Sequence, residues 1–282
     1  MSGSPRKTKV LLGWPWYDGP DIETYTSYNE VTHYFGRLQE RSLWLSAFGD
    51  EGAEKVGRRL DPLCEDGDLA EITAEDGIFE FGYSDVGRNS LVGQAREKIV
   101  EAAIAWGADY LFMWDDDMKF KWSTFLRLWR HQKPVVNALG FTSTYPVWPC
   151  LWSVQRGNEH RSDWANIVFD YPKDQLISNE EVGGVIAFGA GVTLYDVNVF
   201  RRMPKPWFFS TGTGEDFLFC MRCHENGIRT YVDTSIKVEH LMKAPRWSSE
   251  EFYEEARVSD VAAYDKMKAD HAYNKALWER AE

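Results

Sequence analysis

Little in this chain suggests export, a membrane or a polyanionic partner. Four cysteines in 282 residues are too few for a disulfide scaffold. No run of about 18 apolar residues occurs, so no membrane span is expected. The basic start, MSGSPRKTK, leads into LLGWPWYDG, which is too short and too polar for a signal peptide. These features fit a cytoplasmic protein. Positive charge is the scarce sign: 32 Lys and Arg stand against 44 Asp and Glu, a net −12. That balance weighs against a general grip on nucleic acid, which needs clustered cations. It leaves room for a local basic groove near Arg201, Arg202, Lys205 and Arg246, or for a small anion held through a metal. No internal repeat is visible.

Aromatic residues are plentiful instead, at 15% with 13 Trp, some of them suited to stack on sugar rings or bases. Lys9–Trp14 reads as a buried strand stopped by Pro15, and Tyr34–Ala47 as a helix. The acidic stretch between Glu51 and Asp85 gives little pattern beyond a short strand at Ile78–Tyr83. From Ser90, a candidate N-cap, Leu91, Ala95, Ile99, Ala102 and Trp106 recur at helical spacing, and Gly107 supplies the stop. Asp109–Trp114 is an unbroken apolar strand of the kind covered on both faces. Ser123 starts a further helix through Trp129, and Val135–Leu139 is another strand. Val185–Tyr195 is strand material interrupted by Gly189 and Gly191. Glu215–Asn226 reads as a helix ended by Gly227, with strands at RTYVDT and IKVEHL beyond it. This alternation predicts a three-layer α/β/α sandwich on a mostly parallel sheet over residues 1–243. Residues 244–282 read as a peripheral helical segment.

The strand YLFMW runs straight into Asp115, Asp116 and Asp117. A solvated turn is the plain explanation. The other is a divalent cation, because ligands of α/β sheets bind beyond the carboxyl ends of the strands. An extended backbone would point Asp115 and Asp117 the same way, onto one Mg²⁺ or Mn²⁺. Asp116 would then face a hydroxylated ligand. His240 closes a strand and is either structural or a third ligand that would favour Mn²⁺. Glu215 and Asp216 fall in a helix's first turn, where acids suit the dipole, or where one could act as a base. Arg96 is either a surface arginine paired with an acid or a phosphate contact. Cys220 and Cys223 form a CxxC best read as two core thiols.

In order, VGRNSLVGQAREKIVEAAIAWGADYLFMWDDDMKF, PVVNALGF, FGAGVTLYDVNVFRRMPKPWF and GEDFLFCMRCHENGIRTYVDTSIKVEHL resemble glycosyltransferases of the GT-A fold. The closest resemblance is to small family-2-like enzymes such as those of bacteria and phages. It spans about residues 86–241, with the first strand also fitting. The resemblance implies a nucleotide-sugar donor, most simply a UDP-sugar, with its diphosphate on Mn²⁺ or Mg²⁺ held by Asp115, Asp117 and His240. Asp116 would serve the metal or the ribose. Arg96 matches an arginine on the nucleotide side, although Glu97 follows where relatives carry Asn. Trp14 and Pro15 would open the base-binding loop. Gly189, Ala190 and Gly191 would let the donor sugar approach the backbone. Asp216 or Glu215 would act as base in an inverting reaction.

Trp207 and Phe208 would flank the acceptor, with Trp148, Trp152 and Trp164 as further contacts. The acceptor itself, whether saccharide, small molecule or modified nucleobase, stays open. A nucleotidyltransferase or pyrophosphorylase is the alternative enzyme, but GWPWYDGP occupies the place of its Gly-rich phosphate loop. A phosphatase of the haloacid-dehalogenase type would need its acids on the first strand. A non-catalytic sugar binder would have no need of a diphosphate-holding metal.

Overall fold

The computed structural model describes residues 6–15, 33–43, 45–47, 72–86, 91–121, 123–154, 165–209, 214–242 and 247–279. The chain builds one large sheet with helices on both faces. Strands β1 (Lys7–Pro15), β2 (Ile78–Val86), β3 (Tyr110–Trp114), β5 (Val135–Ala138), β8 (Leu176–Ile177), β10 (Val192–Asp196) and β11 (Thr230–Asp233) take the order β2-β1-β3-β10-β5-β11-β8. Helix α1 covers residues 33–43 and 45–47. It is followed by α2 (Val92–Trp106), α3 (Thr124–Arg130), α4 (Asn179–Val182), α5 (Asn198–Arg202), α6 (Glu215–Glu225), α7 (Glu250–Ser259) and α8 (Val261–Glu279).

Strand alternation divides the core into two layers. Leu11, Leu111, Met113, Val135 and Tyr195 face α2, α5 and α6 through Ile99, Val100, Ala103, Phe200 and Phe219. Their strand neighbours Val10, Leu12, Phe112, Val136 and Leu194 face α1 and α3 through Phe35, Leu38, Phe125 and Leu128. The expected strand near Ile78 is there and longer, and Gly107 ends α2 in the left-handed conformation at φ 74°. The cap before α2 is Leu91, which offers no side-chain hydrogen bond, and Ser90 lies outside the described residues.

One sequence expectation changes. The sheet is mixed: β1 runs parallel to β2 and β3, and β5 to β11, whereas β10 is antiparallel to both β3 and β5 and β8 antiparallel to β11. An apolar run carries no sign of direction, which is why it read as mostly parallel. The Val185–Tyr195 stretch is interrupted where Gly189 and Gly191 were expected to break it, and its two halves go to different sheets. β9 (Val185–Phe188) joins β6 (Leu151–Val154) and β7 (Ala165–Ile167) in a small sheet, while β10 enters the large one. The chain crosses between them at Gly189–Gly191, where space is short. A Cβ on Gly189 would stand 3.0 Å from Cys150 Cβ, and one on Gly191 3.0 Å from Met118 Sδ.

A third sheet joins β4 (Met118–Phe120), β12 (Val238–Leu241) and β13 (Trp247–Ser248). It places His240 opposite both Met118 and Ser248. The C-terminal helices pack more deeply than a peripheral segment would. Tyr253 is fully buried and Tyr264 is 2% exposed, both in the larger core cluster. The expected boundary at residues 243–244 lies in or beside undescribed residues. Among the described residues, no helix is long and apolar enough to cross a membrane.

Candidate functional site

Beyond the carboxyl end of β3 the three acids do not stay extended. Asp115 accepts from Met118 N–H at 3.2 Å, closing a turn, and its own N–H donates to Gly191 O at 2.9 Å. The extended geometry expected for Asp115 and Asp117 is therefore replaced by one that sends them to different partners. The turn forms because β4 must reverse to pair with β12, and Leu241 N–H donates to Asp117 O at 2.9 Å.

Asp115 turns inward onto Arg96. The guanidinium Nη2 donates to both carboxylate oxygens at 2.6 and 2.8 Å, and Nη1 donates to Glu215 Oε1 at 2.5 Å. Arg96 is only 2% exposed. Neither the surface pairing nor the nucleotide contact expected for it fits such depth: it is a buried counter-charge joining α2, the end of β3 and the start of α6. Its position three residues before Ile99 and seven before Ala103, both fully buried, was the signal in the sequence. Burial alone would lower its pKa, but Asp115, Glu215 and Asp216 more than reverse this and raise it. Asp115 is pushed up to about 6, because burial and the nearby Asp117 outweigh the guanidinium.

Asp117 faces the other way, with Oδ2 2.9 Å from His240 Nε2. His240 Nδ1 lies 2.8 Å from Phe141 O. A carbonyl only accepts, so Nδ1 carries a hydrogen, and Nε2 turns to Asp117 either a second N–H or a lone pair. Burial would lower the His240 pKa, but Asp117 and the Phe141 carbonyl raise it instead. The Asp117–His240 spacing can be compared with that of a hard-cation site. Two adjacent ligands of an octahedral ion at about 2.1 Å stand about 3 Å apart, and carboxylate with imidazole suits Mn²⁺. Asp117 and His240 fit as such a pair, whereas Asp115 has both oxygens on Arg96. Among the described residues no group of three or more His, Cys, Asp or Glu is arranged to hold a metal.

Asp216, at the first turn of α6, accepts from Ala190 N–H at 3.2 Å and from Phe217 N–H at 2.7 Å. It thereby fixes the Gly189–Gly191 crossing beside the acids. Glu215 lies against α2, where a Cβ on Gly93 would stand 3.5 Å from Glu215 Cβ.

The aromatic expectations divide. Trp207 and Phe208, expected beside an acceptor, are buried at 5% and 3% exposure. Trp207 Nε1–H donates to Phe200 O and Met203 O, and Phe208 stacks on Phe219 at 4.8 Å. Their rings are core, because an aromatic pair after Pro206 has the same sequence signature inside or out. Trp14 likewise stacks on Trp114 at 5.3 Å rather than presenting a free face, and Pro15 ends β1 beside it. Trp148 and Trp152 remain partly exposed, and Trp164 lies outside the described residues. Cys220 and Cys223 are buried free thiols, as expected of core residues. Of the residues expected to form a basic groove, Lys205 pairs with Glu101 and Arg201 bonds Asn198, and Arg246 lies outside the described residues. Nothing in the sequence pointed to the Phe141 carbonyl, since a main-chain group leaves no residue signature.

No family model matches the sequence, and no curated protein matches it either. Among solved structures it is similar to A197 from STIV (15% identity, TM-score 0.41, covering 86% of this chain and 91% of that one). It is also similar to a CMP:2-keto-3-deoxy-manno-octonic acid synthetase complexed with CTP (13%, 0.32, 80% and 89%). A third is an apo-UDP-glucose pyrophosphorylase (12%, 0.35, 93% and 100%). At these TM-scores the likenesses say nothing about what the site does.

Proposed function

We propose that the protein is a metal-dependent glycosyltransferase of GT-A type, acting on a nucleotide-sugar, most simply a UDP-sugar. The observation that carries this reading is the Asp117–His240 pair, at the end of β3 and 2.9 Å apart, with the imidazole fixed by Phe141 O. Asp117 and His240 would hold Mn²⁺ or Mg²⁺, with Asp116 in the same turn. When bound, the ion supplies charge neutralisation for a departing nucleoside diphosphate. Arg96 keeps Asp115 and Glu215 in place and offsets part of the acidic charge. Of the two acids at the head of α6, Glu215 is tied to Arg96, so Asp216 takes the base role. Its carboxylate has acceptor capacity beyond the two N–H groups that anchor it. The Gly189–Gly191 crossing, packed against Cys150 and Met118, donates Ala190 N–H to Asp216 and so holds that carboxylate beside the acids of the turn.

One observation favours a second reading. With Trp207 and Phe208 in the core, the described residues support a nucleotide-diphosphate cation site better than an acceptor subsite. Nucleotidyl transfer, joining a nucleoside triphosphate to a sugar phosphate with release of pyrophosphate, would use the same cation pair. A panel of nucleotide-sugars and of triphosphate–sugar-phosphate pairs, assayed with Mn²⁺, separates the two. Release of nucleoside diphosphate supports glycosyl transfer, and release of pyrophosphate supports the second reading. Asp117→Ala should lower either activity at least ~100-fold. Unchanged, metal-independent turnover in that variant would overturn both.

A further inference from the structure

We propose that the chain beyond residue 246 is a clamp that positions His240, with Tyr264 and Ser248 as its positioning residues. This rests on the reading of Asp117 and His240 as cation ligands. Three contacts from that segment reach the main chain of His240 and the connection that supplies its carbonyl partner. β13 pairs with β12 so that Ser248 stands opposite His240, and Ser248 Oγ donates to His240 O at 3.3 Å. Tyr253 of α7, fully buried, packs its ring 5.5 Å from that of Phe141, whose carbonyl accepts from His240 Nδ1–H. Tyr264 of α8 donates its hydroxyl hydrogen to Val147 O at 2.8 Å, which ties down the same connection that carries Phe141. A fourth contact, from Tyr145 O–H to Asp260 Oδ2 at 2.8 Å, joins that connection to the junction between α7 and α8.

The clamp acts through orientation. A ligating imidazole needs its second nitrogen held so that the ring plane and the tautomer are fixed, and losing such a partner weakens metal binding. Here the partner is a main-chain carbonyl on a connection between strands, and connections of that kind move more readily than the elements they join. This connection has cross-bonds of its own, Thr142 N–H to Trp148 O at 3.0 Å and Cys150 N–H to Gly140 O at 2.9 Å, and the two C-terminal helices add to them from outside. Tyr253 and Tyr264 also contact one another, with ring centroids 6.0 Å apart, so α7 and α8 act on the Phe141 connection together.

Full-length wild type, Tyr264→Phe, Ser248→Ala and Asp117→Ala are titrated with Mn²⁺ alone and with Mn²⁺ plus UDP, following free Mn²⁺ by its magnetic resonance signal well below the melting temperature. The ¹⁵N shifts of the His240 ring are recorded alongside. Tyr264→Phe keeps the ring and loses only the bond to Val147 O. It should weaken Mn²⁺ binding about 10-fold, the low end for an outer partner, and should shift the His240 nitrogen signals. Ser248→Ala should act in the same direction. Wild-type Mn²⁺ affinity and unchanged His240 shifts in both variants, even with a lowered melting temperature, would leave the segment a purely structural prop and overturn the clamp. If wild type binds no Mn²⁺, or Asp117→Ala binds it equally well, the cation site itself falls and the clamp falls with it.

Discussion

Replacing Arg96 by Met removes the guanidinium that bonds both Asp115 and Glu215 while keeping most of the side-chain volume. Taking one partner from a fully buried ion pair costs about 3–5 kcal/mol, because the charge left behind has no counter-ion. Here the side chains of Arg96, Asp115 and Glu215 are 2%, 27% and 13% exposed. Some solvent therefore reaches the acids, which puts the expected loss near ~3 kcal/mol, or a melting temperature lower by roughly 6 °C or more. The loss should also depend on pH. Asp115 already sits at about 6, above the ordinary 3.8, with the guanidinium in place. Without Arg96 it rises further. A carboxyl group whose folded pKa is raised is better accommodated protonated, so its contribution to stability falls as pH climbs from the unfolded value through the folded one. The gap between wild type and Arg96→Met should then be small near pH 5 and full at pH 7.5. Urea unfolding at both pH values in EDTA measures it, and the triple variant Arg96→Met/Asp115→Asn/Glu215→Gln should recover most of the loss. A gap below ~1 kcal/mol at pH 7.5, or an equal gap at both pH values, would refute the reasoning.

Other outcomes follow from single contacts. The Asp76 carboxyl would be raised by burial, but hydrogen bonds from Arg130 and Thr73 hold it below its ordinary 3.8. The stability it contributes is complete above that value and is lost as pH falls through the lowered one, so Asp76→Asn should flatten the acid limb of a pH–stability curve followed by circular dichroism. A Cβ at Gly184 would stand 2.4 Å from Ser153 Oγ and 2.6 Å from Val154 O. Gly184→Ala should therefore lower stability by ~1–3 kcal/mol in urea titrations, since a backbone carbonyl in a sheet has little room to yield.

The parts of the fold legible in the sequence are those where one residue type has one physical meaning. Gly107 had to end α2, and the apolar run before Asp115 had to be a buried strand. Strand direction was not legible, because β10 looks the same from either side, and only its antiparallel pairing with β3 and β5 shows it to be reversed. At the site, the acids of the turn and His240 were found as residues, but the pairing among them was not. Asp115 was expected to face the same ion as Asp117, yet Arg96 takes it, since the turn at Asp115–Met118 rotates the carboxylates apart. Trp207 and Phe208 misled for a different reason: large aromatic rings serve equally as core filling and as ligand platforms.

The place of β10 in the sheet has a consequence for biosynthesis. β3 and β5 leave the ribosome well before residues 192–196, the strand that must slot between them and bond to both. At ordinary translation speeds those two apolar strands wait on the order of seconds for their shared neighbour. Throughout that interval the half-made sheet presents open edges to the cell, and a chaperone able to shield them would act on this protein before its last third is made.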